Sequence, residues 1–203
     1  MWCIGQITEE YRHRMYELLA LYAQPFDPRE PVVCIDEKSL QLLGHSRAPL
    51  PMAPGVIAKD DYEYVRKGTI NLFVAVEPKA GQRAVSVTEQ RGKVDFVGFI
   101  ASLLGGAYAR ARRVHIVLDN LNTHFRKSFE DVLGHRATDK LLRRVQFHYT
   151  PKHASWLNMA EIEIGILSRQ CLARRLPDRP TLEREVDHWQ RERNVIGTTI
   201  EWK

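Results

Sequence analysis

The amino-acid sequence predicts an α/β fold in which a mixed five-stranded β-sheet carries helices on both faces. Two short and almost continuously apolar runs, 32–35 and 113–118, are typical of strands buried on both faces. Two further strand signals, 69–76 and 84–88, are joined by a turn at 78–81, which indicates an antiparallel hairpin. Because a hairpin then stands beside strands separated by helical segments, the sheet is expected to be mixed.

The remaining elements follow from helical spacing and from helix breakers. Apolar side chains recur at helical spacing over 8–22, and Pro25 ends the run. Three prolines and three glycines within 44–68 predict a long loop. The other predicted elements are helices over 93–110, 155–174 (capped by Ser155) and 181–194 (capped by Thr181), and a strand over 145–149. We expect an N-terminal helix and connector over 1–30, followed by one domain over 31–203.

Composition excludes several classes of protein. The 203 residues are 44% apolar and 27% charged, which argues against wholesale disorder, and no apolar run reaches the roughly 18 residues of a membrane span. The three cysteines are odd in number and far apart, which argues against a disulfide framework or a cysteine zinc site. The net charge of +5, with 21 arginines against 9 lysines, suits a nucleic-acid partner, although genome composition would also explain the bias.

Two buried strands are each followed by an aspartate, Asp36 and Asp119. Ligand sites of open α/β sheets lie beyond the carboxyl ends of parallel strands, so two neighbouring strands would bring these carboxylates together. Like charges at close range require a cation, and a hard cation with oxygen ligands fits best. The alternative is that each aspartate only caps a turn.

A third carboxylate, Glu161, is predicted on a helix between two apolar sides, where it would point into protein or a cleft. An ion pair with an arginine is the alternative for this residue. Glu163 falls elsewhere on the helical wheel and is expected to be solvated.

Three motifs carry a resemblance to a known family. They are Cys34-Ile35-Asp36-Glu37-Lys38-Ser39, Leu118-Asp119-Asn120-Leu121-Asn122-Thr123-His124, and the run from Tyr149 to Glu161 that contains Pro151-Lys152-His153 and Asn158-Met159-Ala160-Glu161. In this order they resemble the catalytic domain of bacterial insertion-sequence transposases of the mariner-related DDE group.

The resemblance implies a ribonuclease-H-like fold, as in retroviral integrases, and a catalytic triad of Asp36, Asp119 and Glu161. The same three residues would bind Mg²⁺ or Mn²⁺ as two ions, and the chain would cleave DNA and transfer its strands. The implied partners are DNA, at transposon ends and targets, and further copies of the chain in a homodimer or higher oligomer. The implied location is the bacterial cytoplasm, at the nucleoid when DNA is bound. No membrane partner is expected.

Six further residues are candidate DNA contacts: Lys38, His124, Lys152, His153, Trp156 and Asn158. Lysine and histidine would meet phosphates and Trp156 would stack on a base, but Trp156 could equally be a core anchor and His124 a helix-start residue bonded to backbone.

Two other functions remain open from the sequence. One is a non-catalytic remnant or a DNA-binding and oligomerisation module, because the helix-turn-helix region usual in the family is not evident before residue 30. The other is a ribonuclease-H-type nuclease that acts on RNA–DNA hybrids.

Overall fold

Five strands form the mixed sheet that the sequence predicts. In the computed structural model, which describes residues 7–57 and 61–200, they are β1 (Val32–His45), β2 (Tyr64–Glu77), β3 (Gln82–Thr88), β4 (Val114–Leu118) and β5 (Val145–Tyr149). Their order across the sheet is β3-β2-β1-β4-β5. β1, β2 and β3 pair antiparallel, whereas β4 pairs parallel with both β1 and β5. The prediction of a mixed five-stranded sheet is confirmed.

Helices cover both faces of this sheet. They are α1 (Glu9–Ala23), α2 (Lys93–Gly105), α3 (Arg126–Leu133), α4 (His135–Leu142), α5 (Ala160–Gln170) and α6 (Arg179–Ile196). α2, α3 and α4 pack on one face, around Phe73, Phe96 and Ile116. α1, α5 and α6 pack on the other, where their apolar residues meet Cys34 and Val74 among others. No helix within the described ranges is long and apolar enough to cross a membrane.

The first two strands are longer than predicted. β1 and β2 remain paired from Cys34 opposite Val76 as far as His45 opposite Tyr64, so the two ends of the predicted loop over 44–68, namely 44–45 and 64–68, are strand. The polar stretch that begins at Asp36 interrupts the apolar pattern but does not end the strand. β1 stays paired with β2 beyond it, and Leu42 is buried in the apolar cluster that includes residues of α5 and α6.

Several helix boundaries also differ from the prediction. The segment 126–142, for which the sequence predicts no helix or strand, forms α3 and α4. The predicted helix over 155–174 is divided into a single 3₁₀ turn, Ser155–Leu157, and α5. α2 ends at Gly105 instead of residue 110, and α6 begins at Arg179 because Asp178, and not Thr181, accepts the capping hydrogen bond.

The two cysteines within the described residues agree with the absence of a disulfide framework. Cys34 and Cys171 are both buried free thiols. Cys3 lies outside the described residues.

Candidate active site

The strand register brings the two predicted aspartates to neighbouring positions. β1 and β4 run parallel with Cys34 beside Val117, and continuing that register by two residues sets Asp36 beside Asp119. Asp119 directly follows the end of β4, as predicted, whereas Asp36 lies inside β1. Both carboxylates therefore lie at the carboxyl edge of the parallel strands, where sites of open α/β sheets are found.

Helix α5 brings Glu161 to the same edge. The buried Asn158 fixes the start of this helix, because its Nδ2 donates to the carbonyl of Ile35 at 2.8 Å and its Oδ1 accepts from Ala160 N at 3.2 Å. Ile35 immediately precedes Asp36, so this amide ties the first turn of α5 to the strand that carries the first aspartate. Glu161 is in that first turn, with an exposed side chain.

The electrostatics of Asp36 show that the three carboxylates influence one another. Burial, together with the nearby negative charges of Glu161, Asp119 and Glu37, raises the pKa of Asp36 to about 6, although the hydrogen bond from Glu37 N lowers it. Repulsion among like charges at one site has this effect. Among residues 7–57 and 61–200, no three acidic, histidine or cysteine side chains stand close enough to enclose a metal ion as they are arranged. The donor set itself, three carboxylates, suits a hard divalent cation.

His124, a candidate phosphate contact in the sequence analysis, is buried inside the protein. Its side chain is fully buried, with Nδ1 2.7 Å from Asp119 Oδ1 and Nε2 2.9 Å from Glu37 Oε1. Burial alone lowers the pKa of His124, but the hydrogen bonds to Asp119 and Glu37 raise it to about 9. A ring flanked by two carboxylates donates at both nitrogens, which requires the imidazolium form. Direct contact of His124 with a DNA phosphate is excluded by this burial.

Glu37 is a residue of the site that the sequence reasoning missed. Strand alternation turns it to the opposite face from Asp36, where it meets His124 above the ring of Phe96, whose centroid is 4.5 Å from that of the imidazole. The histidine five positions after Asp119 was a visible signal, but its acidic partner lies 87 positions away.

The prediction that Glu163 is solvated is wrong. Its side chain is fully buried and lies between Arg83, at 2.8 Å, and Arg193, at 3.2 Å. On α5 it shares the buried side with Ala160 and Leu167. An acid is tolerated there because two guanidinium groups neutralise it, and these come from distant parts of the chain.

The candidate DNA contacts divide by exposure. Lys152 and His153 are exposed, and Trp156 is 53% exposed in the 3₁₀ turn that precedes α5. Lys38 is partly buried on β1. Asn158 is fully buried and its amide is occupied by backbone groups, so it positions α5 and its side chain is not available to DNA. The four residues that retain exposed surface stay predictions as DNA contacts.

The sequence model of the family described as DDE superfamily endonuclease matches residues 31–183. Among curated proteins, no sequence matches significantly.

Solved structures of the Mos1 mariner transposase share the fold. Its paired-end complex with Mn has a TM-score of 0.60 at 15% identity and covers 98% of this chain and 61% of that chain. The paired-end complex with Mg has a TM-score of 0.59 at 16% identity, covering 100% and 66%, and the strand transfer complex has 0.60 at 14%, covering 98% and 60%. The chain thus spans about three fifths of the transposase chains that it matches. The likeness confirms the ribonuclease-H-like fold, and the family match extends over three quarters of the sequence, so this chain belongs to the DDE superfamily endonucleases.

Proposed function

We propose that this chain is the catalytic domain of a transposase, which cleaves DNA phosphodiester bonds and transfers the freed strand. One observation carries the proposal. Asp36 and Asp119 lie side by side on parallel strands, and the charge of Glu161 acts on Asp36, within a chain of the DDE endonuclease family. No nucleophilic serine or cysteine is needed for such a reaction, because water or a 3′-hydroxyl attacks the phosphorus.

The proposed metal ligands are Asp36, Asp119 and Glu161, which would hold two Mg²⁺ or Mn²⁺ ions. When bound, a pair of such ions activates the attacking oxygen and stabilises the leaving one. The protein's own contribution is to keep the carboxylates in place. His124 holds Asp119, the strand holds Asp36, and the Asn158 amide holds the turn of α5 that carries Glu161.

DNA is the proposed partner, at transposon ends and at the target. Lys152, His153 and Trp156 support this proposal because they are exposed just before α5, where phosphates and bases near the triad would meet them. Lys38 adds a positive charge two residues after Asp36. We further propose a homodimer or higher oligomer in the active complex, and action at the nucleoid of a bacterial cytoplasm, on the strength of the motif resemblance.

The test is nicking of supercoiled DNA by the chain with Mn²⁺. The wild type should leave 3′-hydroxyl and 5′-phosphate ends and should join an oligonucleotide 3′-hydroxyl to the plasmid. Glu161→Gln should reduce nicking by at least about a hundredfold, because it removes a ligand of a catalytic metal. Glu161 is exposed, so the circular dichroism and melting temperature of this variant should match those of the wild type.

The matched control is Glu192→Gln, an exposed glutamate on α6 whose Oε1 lies 3.3 Å from Nε2 of His188. It should nick at the wild-type rate. Faster cleavage of the RNA strand of an RNA–DNA hybrid than of duplex DNA would favour the ribonuclease function. A folded wild type that neither nicks nor joins DNA would favour the non-catalytic remnant and would contradict the proposal.

A further inference from the structure

Helix α1 contacts the segments that carry the candidate catalytic residues. Its Leu18 and Leu21 pack in the same apolar cluster as Cys34 of β1 and Val117 of β4. Tyr22 donates its hydroxyl to the carbonyl of Leu157 at 2.9 Å, in the turn that precedes α5. The family match begins at residue 31, so α1 lies outside it, yet the helix is packed against all three supports of the triad.

One polar side chain of α1 reaches the residue next to Asp119. Arg14 donates from Nη1 to Asn120 Oδ1 at 3.0 Å, and its Nη2 pairs with Glu10 at 2.8 Å. The other end of the Asn120 amide donates to the carbonyl of Thr150 at 2.6 Å. Asn120 is thereby held on one side by α1 and on the other by the segment that leads to Lys152 and His153.

This linkage restrains the segment just after β4, where His124 also holds the Asp119 side chain at 2.7 Å. Asp119 and Asn120 follow the last residue of β4, and Asn120 is exposed. Three nearby hydrogen bonds run from Leu121 N to Asp119 Oδ1 at 3.3 Å, from His124 N to Leu121 O at 2.9 Å and from Thr150 N to Leu118 O at 2.9 Å, and none of these three involves Asn120. Arg14 therefore adds a charge-assisted restraint on Asn120 to the one that the Thr150 carbonyl provides.

We propose that Arg14 is a positioning residue, which holds the Asp119 carboxylate in place through Asn120. The expected effect of Arg14 on DNA nicking rests on the proposed function. Its expected effect on the order of residues 119–124 rests on the geometry alone. An arginine that instead contacted DNA phosphate would alter the affinity for DNA and would act independently of Asn120.

The experiment is a double-mutant cycle of Arg14→Ala and Asn120→Ala, read in two ways. In the metal-free protein, amide hydrogen exchange over residues 119–124 should become faster in each single variant, and no faster in the double variant. Exchange along α1 should be unchanged, because Leu18 and Leu21 keep the helix docked. Arg12→Ala, an exposed arginine of the same helix, is the matched control and should leave the exchange of 119–124 unaltered.

The second readout is the Mn²⁺-dependent nicking rate. We expect kcat to fall by about tenfold in either single variant, a loss in the range of one hydrogen bond to a charged group. KM for DNA should be unchanged, the double variant should lose no more than the singles, and Arg14→Lys, which keeps a donor, should recover much of the rate.

Additive losses, a rise in KM at constant kcat, or unchanged exchange at 119–124 in Arg14→Ala would each overturn the proposal. Faster exchange along the whole of α1 would also overturn it, since the role would then be docking of the helix. If the wild type does not nick DNA, the proposed function fails, while the exchange cycle still decides the role of Arg14.

Discussion

Replacing Glu163 with glutamine tests how much the buried ion pairs between α5, β3 and α6 stabilise the fold. Glu163 faces Arg83, which has no exposed side-chain surface, and Arg193, whose side chain is 13% exposed. Arg83 also donates to the carbonyls of Gly81 and Thr198. Glutamine keeps the shape of the side chain, so Glu163→Gln opens no cavity and removes only the negative charge that two guanidinium groups share.

The expected loss follows from the burial of these groups. Removing one partner of a buried ion pair costs about 3–5 kcal/mol of unfolding free energy, because the remaining charge is left uncompensated in a poorly hydrated place. The carbonyl acceptors that Arg83 retains favour the lower end of that range. At about 2–4 °C per kcal/mol for a domain of this size, the melting temperature should fall by about 10 °C.

Urea unfolding and thermal melting of wild type and Glu163→Gln, each in 0.1 M and 1 M NaCl, measure this loss. Added salt screens exposed charges far more than buried ones, so the difference between the two proteins should persist in 1 M NaCl. Glu192→Gln, which breaks an exposed pair with His188, should change stability by less than about 1 kcal/mol. A loss of that same small size for Glu163→Gln, or one that disappears in 1 M NaCl, would refute the burial argument.

Three other expectations concern charge and can be measured on the same protein. Millimolar Mn²⁺ should raise the melting temperature of the wild type by mass action, and Asp36→Asn should abolish this shift. The substitution should not lower the stability of the metal-free protein. The pKa of Asp36 is raised to about 6, so its ionised form costs folding free energy at pH 7. The pKa of His124 is raised from 6.5 to about 9, so its ion pairs stabilise the metal-free protein fully below about pH 6.5. This stabilisation is lost as the pH rises through about 9. Melting temperatures from pH 6 to pH 10 should therefore fall more steeply for the wild type than for His124→Gln. Fluorescence anisotropy should show micromolar or weaker binding to duplex DNA that falls steeply with salt and hardly distinguishes a terminal repeat from a scrambled duplex, and a tenfold preference for the repeat would contradict this expectation.

The parts of the fold that could be predicted from sequence are those in which local pattern and burial coincide. β4 begins only one residue later than expected, because it is a short and fully buried apolar run. β5 has the predicted bounds, because its alternating apolar residues Val145, Phe147 and Tyr149 pack against the core from the edge of the sheet. The side-by-side placement of Asp36 and Asp119 follows from two such runs that are parallel neighbours. The length of β1 was underestimated because the polar residues 36–39 interrupt its apolar pattern, and only pairing with β2 reveals the rest of the strand.

The interactions that sequence reasoning could not predict are those between charged side chains far apart in the chain. Helical periodicity places Glu163 at a definite angle on α5 but cannot reveal that Arg83, 80 positions away, lies opposite it. The same holds for Glu37 and His124, whose pairing depends on the β1–β4 register and on the turn after β4. Local periodicity therefore cannot reveal the burial of Glu163 or of Glu37, because their basic partners are this distant in the sequence.

The three carboxylates of the candidate site coexist because each has its charge accommodated differently. Asp119 is paired with the imidazolium of His124, Asp36 is largely desolvated and its pKa is raised to about 6, and Glu161 is exposed to water. These arrangements distribute the repulsion that would otherwise fall on all three groups at once. They also assign the groups different tasks, since His124 and Glu37 orient one carboxylate from beneath while Glu161 stays free to adjust. The cost of placing these carboxylates near one another is concentrated at Asp36, which is the residue where substitution should reveal it.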